Sequence, residues 1–193
     1  MPKTETGTRT RILETAERLV QTRGFNGFSY ADVASELGVT KASLHYHFPG
    51  KAELGDALVG RYTERFAAEL QRIDAERLPP SAKLAAYAAI YADVLREDRM
   101  CLCGMLAAEY ETLPVTMRDA ILRFFDHNQM WLRTVMEDGR ADNSMRFDGT
   151  AEDGAQTILG GLEGAMLVAR PYHDMARFQA AATRLIAGVS GAR

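Results

Sequence analysis

The stretch Phe28-Ser29-Tyr30-Ala31-Asp32-Val33-Ala34-Ser35-Glu36-Leu37-Gly38-Val39-Thr40-Lys41-Ala42-Ser43-Leu44-His45-Tyr46-His47-Phe48-Pro49-Gly50-Lys51 decides the fold of this chain. Ser29 is a helix-capping residue, and Asp32 three positions on makes a short-acid relative of the capping box. Val33, Ala34 and Leu37 form the buried side of the helix that follows. Gly38 ends it, since glycine accepts the left-handed geometry past a helix end. Val39 plugs the turn, and Thr40 caps a third, very short helix running to about Tyr46. Phe48-Pro49-Gly50 breaks that helix, because proline cannot continue one. Helix, tight turn and helix make a helix-turn-helix. Ala34 is small where the two helices cross, and Val39 and Leu44 lock the pair. Phe25, Phe28, Tyr30 and Phe48 have the spacing of a mini-core.

This arrangement leaves the outer face of the third helix free to enter a major groove. That face carries Thr40, Lys41, Ser43, His45 and His47, with Tyr46 beside it. Hydroxyls, an amine and imidazoles can bond to base edges or phosphates. Lys51, opening the next helix, is expected to aim a cation at the DNA backbone. A helix-turn-helix can also be a plain packing unit, and what separates the two readings is the length of the ordered motif. From Thr10 to Leu54 the chain resembles the N-terminal domain of the TetR family. The resemblance implies Thr40, Lys41, Ser43, Tyr46, His47 and Lys51 as DNA-contacting positions, Tyr46 and Lys51 matching the family's phosphate contacts most closely; His45 falls at a variable position.

Upstream, Thr8 is expected to cap a first helix with Ile12, Leu13, Ala16, Leu19 and Val20 on its buried face, ended by Gly24. Residues 1–51 hold seven basic side chains against five acidic, in a 193-residue chain of net charge −3. The basic excess sits where DNA contact is expected, modest as it is. Downstream, Lys51 to about Leu78 reads as a long connecting helix that stops at Pro79-Pro80. Five more helical segments follow, at about 81–97, 101–111, 115–138, 150–170 and 173–189. No alternating strand pattern and no repeat is present. The expected fold is all-α with about nine helices: a helix-turn-helix DNA-binding domain over residues 1–52, linked by helix 51–78 to a ligand-binding and dimerisation domain over 53–193.

The resemblance implies a helical, dimeric body that binds a small molecule, and three features bear on it. Gly160, Gly161, Gly164 and Ala165 place small residues on one helical face, where glycine otherwise costs about 1 kcal/mol. A partner helix across a dimer interface accounts for them, as does tight packing within one subunit. Cys101 stands near a helix start after Asp98-Arg99, where the dipole and the Arg99 cation could make it reactive; a buried cysteine is also an ordinary small hydrophobe. The run Cys101-Leu102-Cys103-Gly104-Met105-Leu106-Ala107-Ala108-Glu109 resembles a segment of TetR-type regulators of electrophile or aldehyde stress. Finally, Tyr87, Tyr91, Met105, Phe124, Trp131 and Met166 suit the apolar wall of a ligand pocket, with Glu109, His127 and Asn128 as polar anchors. For any single one of them, core packing is the favoured reading by spacing alone.

Several classes are excluded. No nucleophile elbow, phosphate loop or dinucleotide fingerprint occurs, so no enzyme is expected. No cofactor and no metal is called for, since Cys101 and Cys103 have no second ligand cluster. Two cysteines two residues apart build no disulfide framework. No signal peptide and no span of ~18–20 apolar residues is found, which points to a cytoplasmic protein. The expected partners are a double-stranded DNA operator, a small-molecule inducer and a second copy of the chain. The expected function is that of a ligand-responsive transcriptional regulator, a repressor released from a palindromic operator by its inducer.

Overall fold

A computed structural model describes residues 5–190 of the chain. Its helices are α1 (Glu5–Arg23), α2 (Tyr30–Leu37), α3 (Lys41–His47), α4 (Lys51–Ala75), α5 (Pro80–Arg96), α6 (Leu102–Ala108), α7 (Val115–Ala141), α8 (Ala151–Ala169) and α9 (Met175–Val189). Short 3-10 turns occupy Tyr110–Thr112 and Arg170–Tyr172. Among the described residues there is no strand; one isolated bridge joins Arg146 and Ser190. No helix among them is long and apolar enough to cross a membrane.

The chain divides into two compact units. The first comprises the chain up to Glu64 together with Leu102–Leu122. Its core is built from the face of α1 that the sequence pattern marks, with Ile12, Ala16 and Val20 fully buried, joined by Val33, Leu44, Leu54 and Val59. Phe25 and Phe28 meet edge to face with centroids 6.0 Å apart. Helix α1 opens at Glu5, a turn before Thr8, so Thr8 lies inside the helix rather than capping it. Leu37 and Val39 are only half-buried. The Ser29 cap is a complete capping box: Ser29 accepts from the Asp32 N–H, and the Asp32 carboxylate accepts from the Ser29 N–H at 2.7 Å. Gly38 has φ +64°, the left-handed turn that α2 needs to stop and let α3 begin.

The second unit comprises Arg65–Cys101 and Arg123 onward. Helix α8 packs along α9, and α5 packs against both. A second capping box, Thr150 with Asp153, starts α8, and Asp174 starts α9 by accepting from the Ala176 and Arg177 N–H groups. Helix α4 ends at Ala75, three residues short of Leu78. The reason is local. Arg77 turns into the left-handed region at φ +51°, Pro79 disfavours helical geometry in the residue before it, and Pro80 takes the first helical position of α5. Gly161 explains part of the glycine run, because a Cβ there would lie 2.7 Å from the Leu185 side chain on α9. Gly160 and Gly164 face open space instead, where a Cβ would meet nothing within 4 Å.

Candidate nucleic-acid interface and ligand site

Helix α3 is held from both ends. Thr40 Oγ1 accepts from the Ser43 N–H at 3.2 Å, so this hydroxyl is engaged in the cap. At the far end the Tyr30 hydroxyl reaches the Phe48 and Gly50 carbonyls at 2.9 and 2.6 Å, pinning the turn that follows the helix. Burial, helped by the Glu53 carboxylate, pushes the Tyr30 pKa up to about 12, so it stays a donor. Tyr30 is only half-buried, so it acts as a latch on this turn rather than as the core residue its spacing suggests. Leu44 anchors the inner face at zero exposure.

The outer face carries Thr40, Lys41, His45 and Tyr46 exposed, with Ser43 and His47 half-buried. Tyr46 is the extreme case at 72% exposure, and its ring meets the His47 ring edge to face at 5.2 Å. An aromatic ring so exposed gains nothing from the core and has a hydroxyl to offer a partner. His45 Nδ1 lies 3.0 Å from the Pro49 carbonyl, and its ring leans on Tyr30 at 4.8 Å. A ring nitrogen next to a carbonyl carries the proton, which leaves Nε2 as the acceptor in the neutral form.

Lys51 departs from expectation. Its ammonium turns inward, donates to the Phe28 carbonyl at 2.5 Å, and sits over the Phe25 and Phe28 rings at 4.7 and 4.3 Å. Partial burial lowers its pKa. An unsatisfied carbonyl and two ring faces hold this cation better than water does, so Lys51 cements the head rather than reaching for a phosphate.

Glu109 also departs from expectation. It belongs to the first unit, and its carboxylate accepts from the Phe25 N–H at 2.5 Å and the Asn26 N–H at 3.1 Å, just past the end of α1. Asn26 Nδ2 donates to Thr112 Oγ1 at 2.7 Å beside it. Gly24 is required here twice over: φ is +84°, and a Cβ would come within 2.8 Å of the Glu109 carboxylate. Glu109 is thus a clamp on the reading head and no ligand anchor. Met105 lies in the same unit, half-buried.

Of the remaining body residues, Tyr87, Tyr91, Phe124 and Asn128 are buried and brought together. The Tyr87 hydroxyl donates to Asn128 Oδ1 at 3.0 Å, the Tyr91 hydroxyl lies 3.0 Å from that of Tyr87, and Asn128 Nδ2 donates to the Phe124 carbonyl at 2.8 Å. Phe66 packs edge to face on Tyr87, Tyr91 and Phe124. Trp131 stacks on Tyr87 at 5.6 Å and donates its indole N–H to Asp74. Met166 is fully buried on α8. His127 does not join the cluster: it sits on the exposed face of α7, where the register that buries Phe124 and Asn128 turns it outward.

Cys101 and Cys103 are both buried free thiols. The Arg99 guanidinium pairs with Glu97. Burial pushes the pKa of Glu163, which the sequence did not single out, up to about 7, with Cys101 opposing the shift. Only its helical spacing from Leu162 and Met166 on α8 could have suggested it.

Residues 12–58 match the family described as bacterial regulatory proteins, tetR family, and residues 80–185 match the tetracyclin repressor-like C-terminal domain. The chain belongs to the TetR family. A transcriptional regulator from Agrobacterium tumefaciens superposes with a TM-score of 0.93 at 30% identity, covering 97% of this chain and 100% of its own. A TetR regulator from Legionella pneumophila gives 0.82 at 32% identity, over 94% and 97%. The HTH-type transcriptional repressor NemR of Escherichia coli K12 is 27% identical over 171 residues, 86% of each chain. This TetR-family chain is accordingly a DNA-binding transcriptional regulator with an all-helical body.

Proposed function

We propose that this regulator binds a palindromic operator as a homodimer and is a cytoplasmic repressor, released when a small molecule or electrophile reaches its body. Residues 1–52 read the DNA, with Thr40, Lys41, Ser43, His45, Tyr46 and His47 toward the groove, and residues 53–193 sense and dimerise. The observation that carries the reading is α3 itself, capped at both ends around a solvent-facing Tyr46. Two-fold operators require matched heads roughly 34–36 Å apart or a multiple of that, hence a dimer. In support of α8 and α9 as its interface, Gly161, Gly164, Ala165, Val168, Ala181 and Leu185 line an open apolar groove of about 530 Å³. Val168 is exposed within it, and Leu167, its neighbour in sequence, is exposed as well.

In this reading the inducer binds at the Tyr87, Tyr91, Phe124, Asn128, Trp131 cluster with Cys101; the polar groups that converge inside an aromatic shell support it. Inducer binding acts by favouring a dimer whose heads no longer dock together. The test is binding to the DNA upstream of the protein's own gene, titrated with salt. Affinity for a specific site should fall by about a thousandfold between 50 and 200 mM salt if six phosphates are contacted. Weak, sequence-blind binding would sink the operator reading.

A further inference from the structure

A helix that lies in a major groove brings its ends toward phosphate, and the C-terminal end of α3 has the wrong sign for one. Its last carbonyls carry the negative end of the helix dipole, which favours a nearby cation. Lys51 is the next cation along the chain, yet its ammonium is engaged by the Phe28 carbonyl and two rings. The other basic side chains of α1 to α3 are placed differently. Arg18 pairs with Glu36, and Arg11 is half-buried with its Nη1 shut off from solvent. Arg23 is exposed at the far end of α1, where its charge acts on Asp32. Lys41 is exposed at the opposite, N-terminal end of α3. Arg9 stands apart from these. It is exposed near the start of α1, and its guanidinium lies over the Phe48 ring, 5.0 Å from the centroid. Phe48 caps α3 directly after His47, whose ring meets that of exposed Tyr46 at 5.2 Å. Arg9 is therefore at the end of α3 that carries the Tyr46 hydroxyl. Among the described side chains no carboxylate pairs with it.

We propose that Arg9 is a phosphate-binding residue of the reading head, supplying from α1 the cation that Lys51 withholds. It rests on the reading of the head as a DNA-binding surface and names a further contact there, a backbone phosphate of the duplex. The chemistry of the placement suits that role. A guanidinium over an aromatic face is attracted to the ring and keeps N–H groups at its edge for another partner. Its planar fork matches two phosphate oxygens at once, where an ammonium makes a point contact. The ring beneath it is fixed, since Phe48 is 3% exposed and its N–H donates to the Leu44 carbonyl. A long cation held in place before DNA arrives loses less freedom on binding. A phosphate contact carries no sequence information by itself. Arg9 thus adds affinity and sets the register of the head on the duplex, while the choice of bases stays with α3.

The test uses the full chain and two duplexes, the DNA upstream of the protein's own gene and an unrelated sequence, with affinity measured by fluorescence anisotropy between about 50 and 200 mM salt. A dimer brings two Arg9 side chains, so Arg9→Gln should make the salt slope shallower by about two, at ~0.9 per phosphate. The loss of affinity across that range should then shrink about tenfold, on both duplexes alike. Arg9→Lys should keep most of the slope and lose part of the affinity, because the charge stays and the fork goes. Arg23→Gln and Lys51→Gln remove the same charge elsewhere in the head and should keep the parent's slope. Circular dichroism checks folding, and Arg9→Met, which leaves an apolar stem over the ring, is a second neutral variant that should match Arg9→Gln. A parent-like slope in either neutral variant overturns the assignment. So does an equal fall in Arg23→Gln or Lys51→Gln, which makes the effect one of overall charge. An Arg9-dependent slope on both duplexes, with no preference for the upstream DNA, keeps the phosphate contact and removes the operator reading. Sequence-specific binding with an Arg9-independent slope does the reverse.

Discussion

Single side chains here divide into those that serve the core and those that do not. Tyr46 is the clearest of the second kind at 72% exposure. Tyr46→Ala should leave the melting temperature within a degree or two and weaken operator affinity about tenfold, measured by fluorescence anisotropy; an undiminished affinity removes it from the interface. Glu163 makes the opposite prediction. Its folded pKa of about 7 lies above the ordinary carboxylate value, so the native state holds its proton longer than the unfolded chain. Stability contributed by the protonated group is intact below about pH 4.5 and is lost as pH rises to 7. Glu163→Gln should therefore stabilise the protein at pH 8, by ~3 kcal/mol at most, and do nothing at pH 4. Urea titrations at both pH values check this.

At the level of elements, one short helix and one long one depend on their first turns. Helices α2 and α8 each open on a capping box, Ser29 with Asp32 and Thr150 with Asp153. Those hydrogen bonds hold both carboxyls below their usual pKa. A depressed folded pKa stabilises above the unfolded value and is lost as pH falls through the folded one. Both caps should thus begin to weaken together as pH falls past about 4, the ordinary carboxylate value, and be lost only as it passes their lower folded values. Ser29→Ala should cost about 1 kcal/mol in urea unfolding at pH 7, which is the usual magnitude for a lost cap. Glu109 works at the same scale, since one carboxylate fastens the segment behind α6 to the end of α1. Glu109→Ala leaves the Phe25 and Asn26 N–H groups without that acceptor and should lower stability by about 1–3 kcal/mol.

For the whole molecule the deciding quantity is the association of two copies. Gly160 and Gly164 carry a helix penalty with no neighbour in their own chain to justify it. Gly164→Leu should keep the helical circular dichroism of the parent yet shift sedimentation toward monomer and weaken operator binding in step. A Leu variant that stays fully dimeric would move the interface away from α8.

The reading head was legible from sequence because its signals are local. Ser29, Asp32, Gly38, Thr40 and Pro49 act through hydrogen bonds and dihedrals within a few residues, so their order along the chain states the geometry. The helix count followed for the same reason, apart from the first-turn extension of α1 and the early end of α4. The direction in which long side chains point was decided only by tertiary structure. Lys51 and Glu109 look like a DNA cation and a ligand anchor in one dimension; both instead satisfy backbone groups that folding brings from Phe28, Phe25 and Asn26. His127 and Asn128 are neighbours in sequence, yet the turn of α7 exposes one and buries the other. The burial that raises the pKa of Glu163 has no local signature at all. Short-range capping and periodicity are written along the chain, whereas the partner of a buried polar group is chosen by the packing of helices that sequence spacing cannot place.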